Sequence, residues 1–216
     1  MGQIALGEND MKKFLILALV ALVLAPATAK AAPLAVGDLV TLSDWYNTNS
    51  GGPFWATNGD VGWLTFCVEA EEYIDFDHSF KVVGISDRAY HGGVGPAGDP
   101  LDPRTAYLYT KYLGLGSQQY DATINNAYQA AIWYIEGEGG SNNSLVAEAN
   151  AAGWTSIGDI RVVNLEWTVN SGSHKKGDRA QDILVRIVPV PDGGATLTLL
   201  GFALVGVGML RRRLGA

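Results

Sequence analysis

Apolar and polar positions divide the chain into three regimes. From Phe14 to Ala25, and again from Ala195 to Leu210, it is almost unbrokenly apolar, whereas the stretch between sets short hydrophobic runs against Gly, Asn and Asp. Within that stretch the pattern predicts strands at Asp38 to Leu42, Gly62 to Glu69 and Ser79 to Ser86, with Asn47 to Pro53 as a loop. The Gly- and Pro-rich run His91 to Pro103 reads as a second loop. Asp102 and Pro103 then supply an N-cap and a first-turn proline for a helix from Arg104 to about Leu113, stopped by Gly114 and Gly116. A second helix is predicted from about Ala122 to Glu136, with Ile124, Ala127 or Tyr128, Ala131 and Ile135 on one face and Gly137, Gly139 and Gly140 at its end. A short helical piece from Ser144 to Ala152 follows, then strands at Ile160 to Val169 and Gln181 to Val188. Strands, two or three helices, then strands read as α+β, a single β-rich domain.

The two apolar runs have flanks that give them meaning. Lys12 and Lys13 precede the first, and small residues ending Ala29-Lys30-Ala31 follow it, the order of a secretory signal peptide over residues 1–31. Cleavage is expected after Ala31, with Ala29 second; Glu8 and Asp10 suit a signal poorly and point to Met11 as an alternative start. The second run is preceded by Val190-Pro191-Asp192-Gly193-Gly194 and followed at once by Arg211, Arg212 and Arg213. It is just long enough to cross a bilayer, and the arginines would hold its end on the cytoplasmic side. A plain membrane anchor is one reading. The tail also resembles the PEP-CTERM class of sorting signals, in its Val-Pro-Asp-Ser-Gly variant, with Gly193 where that variant has serine. The resemblance implies an exosortase-type membrane protease as partner. It also implies transient anchoring in the inner membrane, and a destination at the cell surface or in the extracellular matrix.

Between these ends, residues 32–189 hold nine Lys and Arg against nineteen Asp and Glu, a balance near −10. That opposes nucleic-acid binding, which depends on basic groups neutralising phosphates. The length suits one core. Cys67 is the one cysteine, so no intramolecular disulfide can form.

Two short segments carry candidate chemistry: Thr65-Phe66-Cys67-Val68-Glu69 on a predicted strand, and Tyr128-Gln129-Ala130-Ala131-Ile132-Trp133 within the second helix. Together they resemble the thioester domain family of bacterial surface proteins. In that family a cysteine after an aromatic residue lies beside a glutamine in a Thr-Gln-x-Ala motif that runs on into an apolar residue and a tryptophan. Here Phe66 and Cys67 match the first part, and Gln129, Ala131, Ile132 and Trp133 the second; Tyr128 stands in place of the threonine. The resemblance implies that Cys67 attacks the Gln129 amide to leave an internal thioester, open to a surface amine or hydroxyl. Such a link is made once, so a covalent adhesin is expected and no enzyme with turnover. The residues alone equally allow an inert, buried cysteine in a structural or carbohydrate-associated matrix protein.

Other groups promise less. Glu69, Glu71, Glu72, Asp75 and Asp77 are dense but lack a calcium-loop spacing, and a solvated strand face is expected. His78, His91 and His174 are too far apart in sequence to read as a zinc site, and Glu136 with Glu138 could be any two acids at a helix end. The tryptophans and tyrosines could line a carbohydrate surface, though most should be packing. No cofactor and no metal are expected.

Overall fold

The computed structural model describes residues 34–46, 51–76, 78–90 and 98–187. The predicted signal peptide, sorting motif, apolar tail and arginine cluster lie outside the described residues, as do Asp77 and His91. Among the described residues no helix is long and apolar enough to cross a membrane.

Strands β1 (Leu39–Asp44), β2 (Phe54–Asn58), β3 (Val61–Thr65) and β4 (Ser79–Ser86) are followed by the two-residue strands β5 (Arg88–Ala89) and β6 (Asp99–Pro100). Helices α1 (Pro103–Leu113), α2 (Ala122–Glu136) and α3 (Ser144–Ala152) come next, with a 3-10 turn at Gly116–Tyr120, and then β7 (Ile160–Trp167) and β8 (Arg179–Arg186). Six strands make one antiparallel sheet in the order β3-β2-β1-β4-β7-β8, while β5 and β6 pair apart from it. The fold is β-rich with three helices, as the alternation of patterns predicts.

The two edge strands of this sheet meet. Beyond the end of β3, Leu184 N donates to Phe66 O at 3.2 Å and Val68 N to Asp182 O at 3.0 Å, while Cys67 bridges Ile183. Thr65 Oγ1 adds a bond of 2.6 Å to Leu184 O. The chain leaving β3 therefore pairs with β8, so the two ends of the sheet approach each other there. Two apolar clusters follow. Val40, Leu42, Phe80, Val82, Leu165, Ile183 and Cys67 form one. Leu64, Phe66, Val162 and Leu184 form the other with Tyr109, Tyr112, Tyr128 and Ile132 of the helices.

Local chemistry sets the helix ends. The Asp102 side chain accepts from Arg104 N at 2.8 Å ahead of Pro103, and Asp121 Oδ1 accepts from Thr123 N at 2.8 Å and Ile124 N at 3.3 Å. Each cap satisfies a donor with no intrahelical partner and contributes about 1 kcal/mol. Gly137 ends α2 in the left-handed region, at φ 82°. Between Asp121 and Gly137, α2 buries Tyr128, Gln129, Ala131, Ile132 and Ile135.

Three expectations need correction. The predicted strand Gly62 to Glu69 stops at Thr65, so Cys67 sits beyond β3 in an isolated bridge. Strand β2 was not anticipated, although Gly59 and Asp60 make an ordinary two-residue hairpin turn between it and β3. The acids after Cys67 do not form a strand face: they follow β3 as irregular chain, in which Glu71 is exposed while Glu69 is 2 % exposed.

Candidate functional site

Continuing the β2–β3 register past Phe54 and Thr65 would pair Gly52 with Cys67. The strands part there, and the side-chain amide of Gln129, reaching down from α2, fills the gap. Its Oε1 accepts from Gly52 N at 2.6 Å and from Cys67 N at 3.1 Å, and its Nε2 donates to Cys67 O at 2.9 Å. Two donors face the oxygen and one acceptor the nitrogen, which fixes the orientation of the amide. Gln129 is 1 % exposed and Cys67 3 %. The segments singled out in sequence thus lie against each other across 62 residues of chain.

Cys67 is buried beside this amide. Burial pushes the Cys67 thiol far above its ordinary range; the Gly52 N–H hydrogen-bonded to it opposes that shift, and the Glu72 charge adds to it. Close approach explains the glycines. A Cβ on Gly52 would lie 2.8 Å from Phe66 Cα and 2.9 Å from Thr65 O, and one on Gly51, at φ 81°, would lie 2.6 Å from Gln129 Cγ. Sequence reasoning passed over both residues, though the run Gly51-Gly52-Pro53 signals a backbone held against something.

The remaining motif residues frame this contact. Phe66 packs edge-on against Tyr112 with centroids 4.7 Å apart, and Tyr128 fills the same aromatic cluster, so the residue in the threonine position is core. Ala131 and Ile132 are fully buried. Trp133 borders a cavity of about 310 Å3 that is also lined by Gly51, Cys67, Glu72 and Gln181. Its buried indole N–H has no hydrogen-bond partner among the described residues.

Beside the cavity Glu69, Glu72 and Asp182 bring carboxylate oxygens within 4.8 Å of one another. Glu72 is pushed up to about 7, foremost by burial, with a hydrogen bond from Glu69 opposing and the Asp182 charge adding. Asp182 is likewise pushed up to about 7 by burial; the Tyr90 N–H at 2.6 Å opposes this, and the Glu69 charge reinforces it. Carboxyls this close resist ionising together, so Glu72 and Asp182 both hold a proton more tightly than ordinary carboxyls. No spacing in sequence joins Asp182 to the other two.

The other candidates disperse. Glu136 accepts from Asp102 N at 3.3 Å, while Glu138 accepts from Ala70 N at 3.3 Å, so they serve separate segments. His174 stacks on Trp167 at 4.7 Å and 4° from parallel, and His78 meets the same ring at 6.0 Å. With Tyr73, Asp75 and Phe76, Trp167 and His174 border an open hollow of about 390 Å3.

Against known proteins, residues 189–214 match the VPDSG-CTERM motif. The chain carries a PEP-CTERM-type sorting signal, processed by an exosortase, and is an exported protein sorted to the cell surface. No curated protein and no solved structure matches the chain.

Proposed function

We propose that this surface-sorted protein attaches covalently to its surroundings through an internal thioester between Cys67 Sγ and Gln129 Cδ. The observation that carries the reading is the Gln129 amide, fixed between Gly52 and Cys67 with its oxygen on two main-chain N–H groups. Attack by sulfur forms the Sγ–Cδ bond and a tetrahedral oxyanion where Oε1 now lies. Two preorganised donors are already aimed there. The Cδ–Nε2 bond then breaks, the thiol proton leaves with nitrogen, and ammonia departs. Holding the reactants in place supplies an effective molarity on the order of 10⁵–10⁸ M, which a sluggish amide requires. An amine or hydroxyl from a neighbouring surface next attacks Cδ, forming an amide or ester and returning the thiol. One link is made per molecule.

On this reading residues 1–31 are a secretion signal removed on export. The tail spans the inner membrane, with Arg211 to Arg213 inside, until the exosortase cuts near Val190 to Gly194.

A second reading is favoured by the aromatic hollow beside Trp167. Exposed Tyr73 and Phe76 with Asp75 and His174 suit a saccharide face, so the protein would be a matrix component whose Gln129 merely clamps the strands. Intact mass separates the two. The full chain, purified in mild detergent, should be lighter by one ammonia, should capture methylamine, and should do neither as Cys67→Ala. An unmodified mass with one titratable thiol in the denatured protein would leave the clamp.

A further inference from the structure

We propose that Glu72 is the proton acceptor of this site, taking the Cys67 thiol proton and delivering it to the departing nitrogen, with Glu69 and Asp182 as its positioning residues. The inference rests on the thioester reading and addresses what that reading leaves unsolved: a buried thiol is a poor nucleophile until something removes its proton.

Geometry selects Glu72. Of the described residues bordering the cavity that reaches Cys67, it is the one carboxylate. Its Oε2 accepts from Asp182 N at 3.1 Å, and Asp182 precedes Ile183, the bridge partner of Cys67. The carboxylate is thereby seated on the strand that pairs with the cysteine. The charged or titratable groups that face it are Glu69, Asp182, Arg179 and the thiol itself. Burial foremost, and then the Asp182 charge, raise its affinity for a proton to near neutrality against the hydrogen bond from Glu69, and near neutrality a general base works best. An ordinary glutamate, titrating near 4.5, would be a feeble base towards a thiol.

The step balances. As Sγ bonds to Cδ its proton passes to the Glu72 carboxylate. Negative charge collects on Oε1 against the N–H groups of Gly52 and Cys67. Collapse of the oxyanion expels Nε2, which takes the proton back from Glu72 and leaves as ammonia. Glu72 ends as it began, and no oxidant or co-reactant is consumed.

The test is the rate of ammonia loss in newly synthesised full chain, made in detergent at pH 5.5 and moved to a series of pH values, followed by intact mass. Wild type should speed up through an inflection near pH 7, because ionised Glu72 is the competent form. Glu72→Gln keeps an acceptor for Asp182 N, yet should be slower by about a hundredfold or more and lose the inflection. Glu72→Asp should keep the inflection at a reduced rate, and far-ultraviolet circular dichroism shows that each variant is folded. A Glu72→Gln chain with the wild-type rate and profile would overturn the role of Glu72 and leave the thioester standing. A wild type that loses no ammonia at any pH would remove the thioester, and this inference with it.

Discussion

Replacing Gln129 by leucine tests the central contact without assuming any covalent chemistry. Leucine approximates the volume but deletes every polar atom. Gly52 N–H, Cys67 N–H and Cys67 C=O would then face an apolar side chain in a buried site. A buried polar group stripped of its partner costs about 1–3 kcal/mol. All three groups are thus orphaned, giving about 3–9 kcal/mol, a large share of the roughly 5–15 kcal/mol that holds a domain together. The comparison belongs in a Cys67→Ala background, where no thioester contributes and the three groups stay as they are. Urea unfolding of the full chain in detergent, followed by tryptophan fluorescence, reads the difference; with a slope of about 2 kcal/mol/M, the midpoint should fall by about 1.5–4.5 M. A loss below about 1 kcal/mol would mean that the amide is not the partner of these groups, and both functional proposals would lose their geometric basis.

Gly52→Ala should unfold at lower urea and form no thioester, since its Cβ meets backbone at 2.8 and 2.9 Å; a variant with wild-type mass behaviour would show that the loop yields freely. Glu136 is pushed up to about 8, foremost by burial. Its folded form therefore binds a proton more tightly than its unfolded form, and stability is lost as pH rises from about 4.5 through 8. Glu136→Gln should flatten that fall, which unfolding midpoints at pH 5 and pH 8.5 would reveal; an unchanged slope would contradict the assignment. Deleting Arg211 to Arg213 should leave an uncut precursor at the membrane on immunoblots, and normal processing without them would count against exosortase recognition of the cluster.

What the sequence disclosed followed from how local the physics was. Helix α2 runs from Ala122 to Glu136 as its periodicity predicts, because Asp121 and Gly137 are signals read within one turn of chain. Helix α3 is equally local. Strand β2 escaped notice because five residues beginning Phe-Trp offer barely two periods of alternation. The acids near Cys67 were misjudged for the opposite reason: what buries them is β8, whose Asp182 lies 110 residues beyond Glu72. Cys67 and Gln129 were legible as a pair through resemblance alone. The grip of the amide on the main chain was not, since it depends on two glycines letting a loop approach within hydrogen-bond distance.

That grip also bears on the fate of the acyl group. In the thioester the nitrogen is gone, so Cys67 C=O loses its donor while the two N–H groups keep their oxygen. Transfer to an amine restores an N–H at Cδ; hydrolysis instead places a second oxygen against the Cys67 carbonyl. Gln129→Glu reproduces that acid directly. Its carboxyl must either ionise while buried against a carbonyl or stay protonated to donate, and both cost free energy relative to the amide. In a Cys67→Ala background Gln129→Glu should lose about 2–4 kcal/mol at pH 7.5 and recover part of it at pH 5, as the acid regains a proton to donate. The sign is that of a raised carboxyl: its protonated form suits the fold, so stability drains away as pH climbs. If the Gln129→Glu substitution left the urea midpoint of that background unmoved at pH 7.5, the nitrogen would contribute nothing at Cys67 C=O, and the site would have no built-in preference for an amine product over the acid.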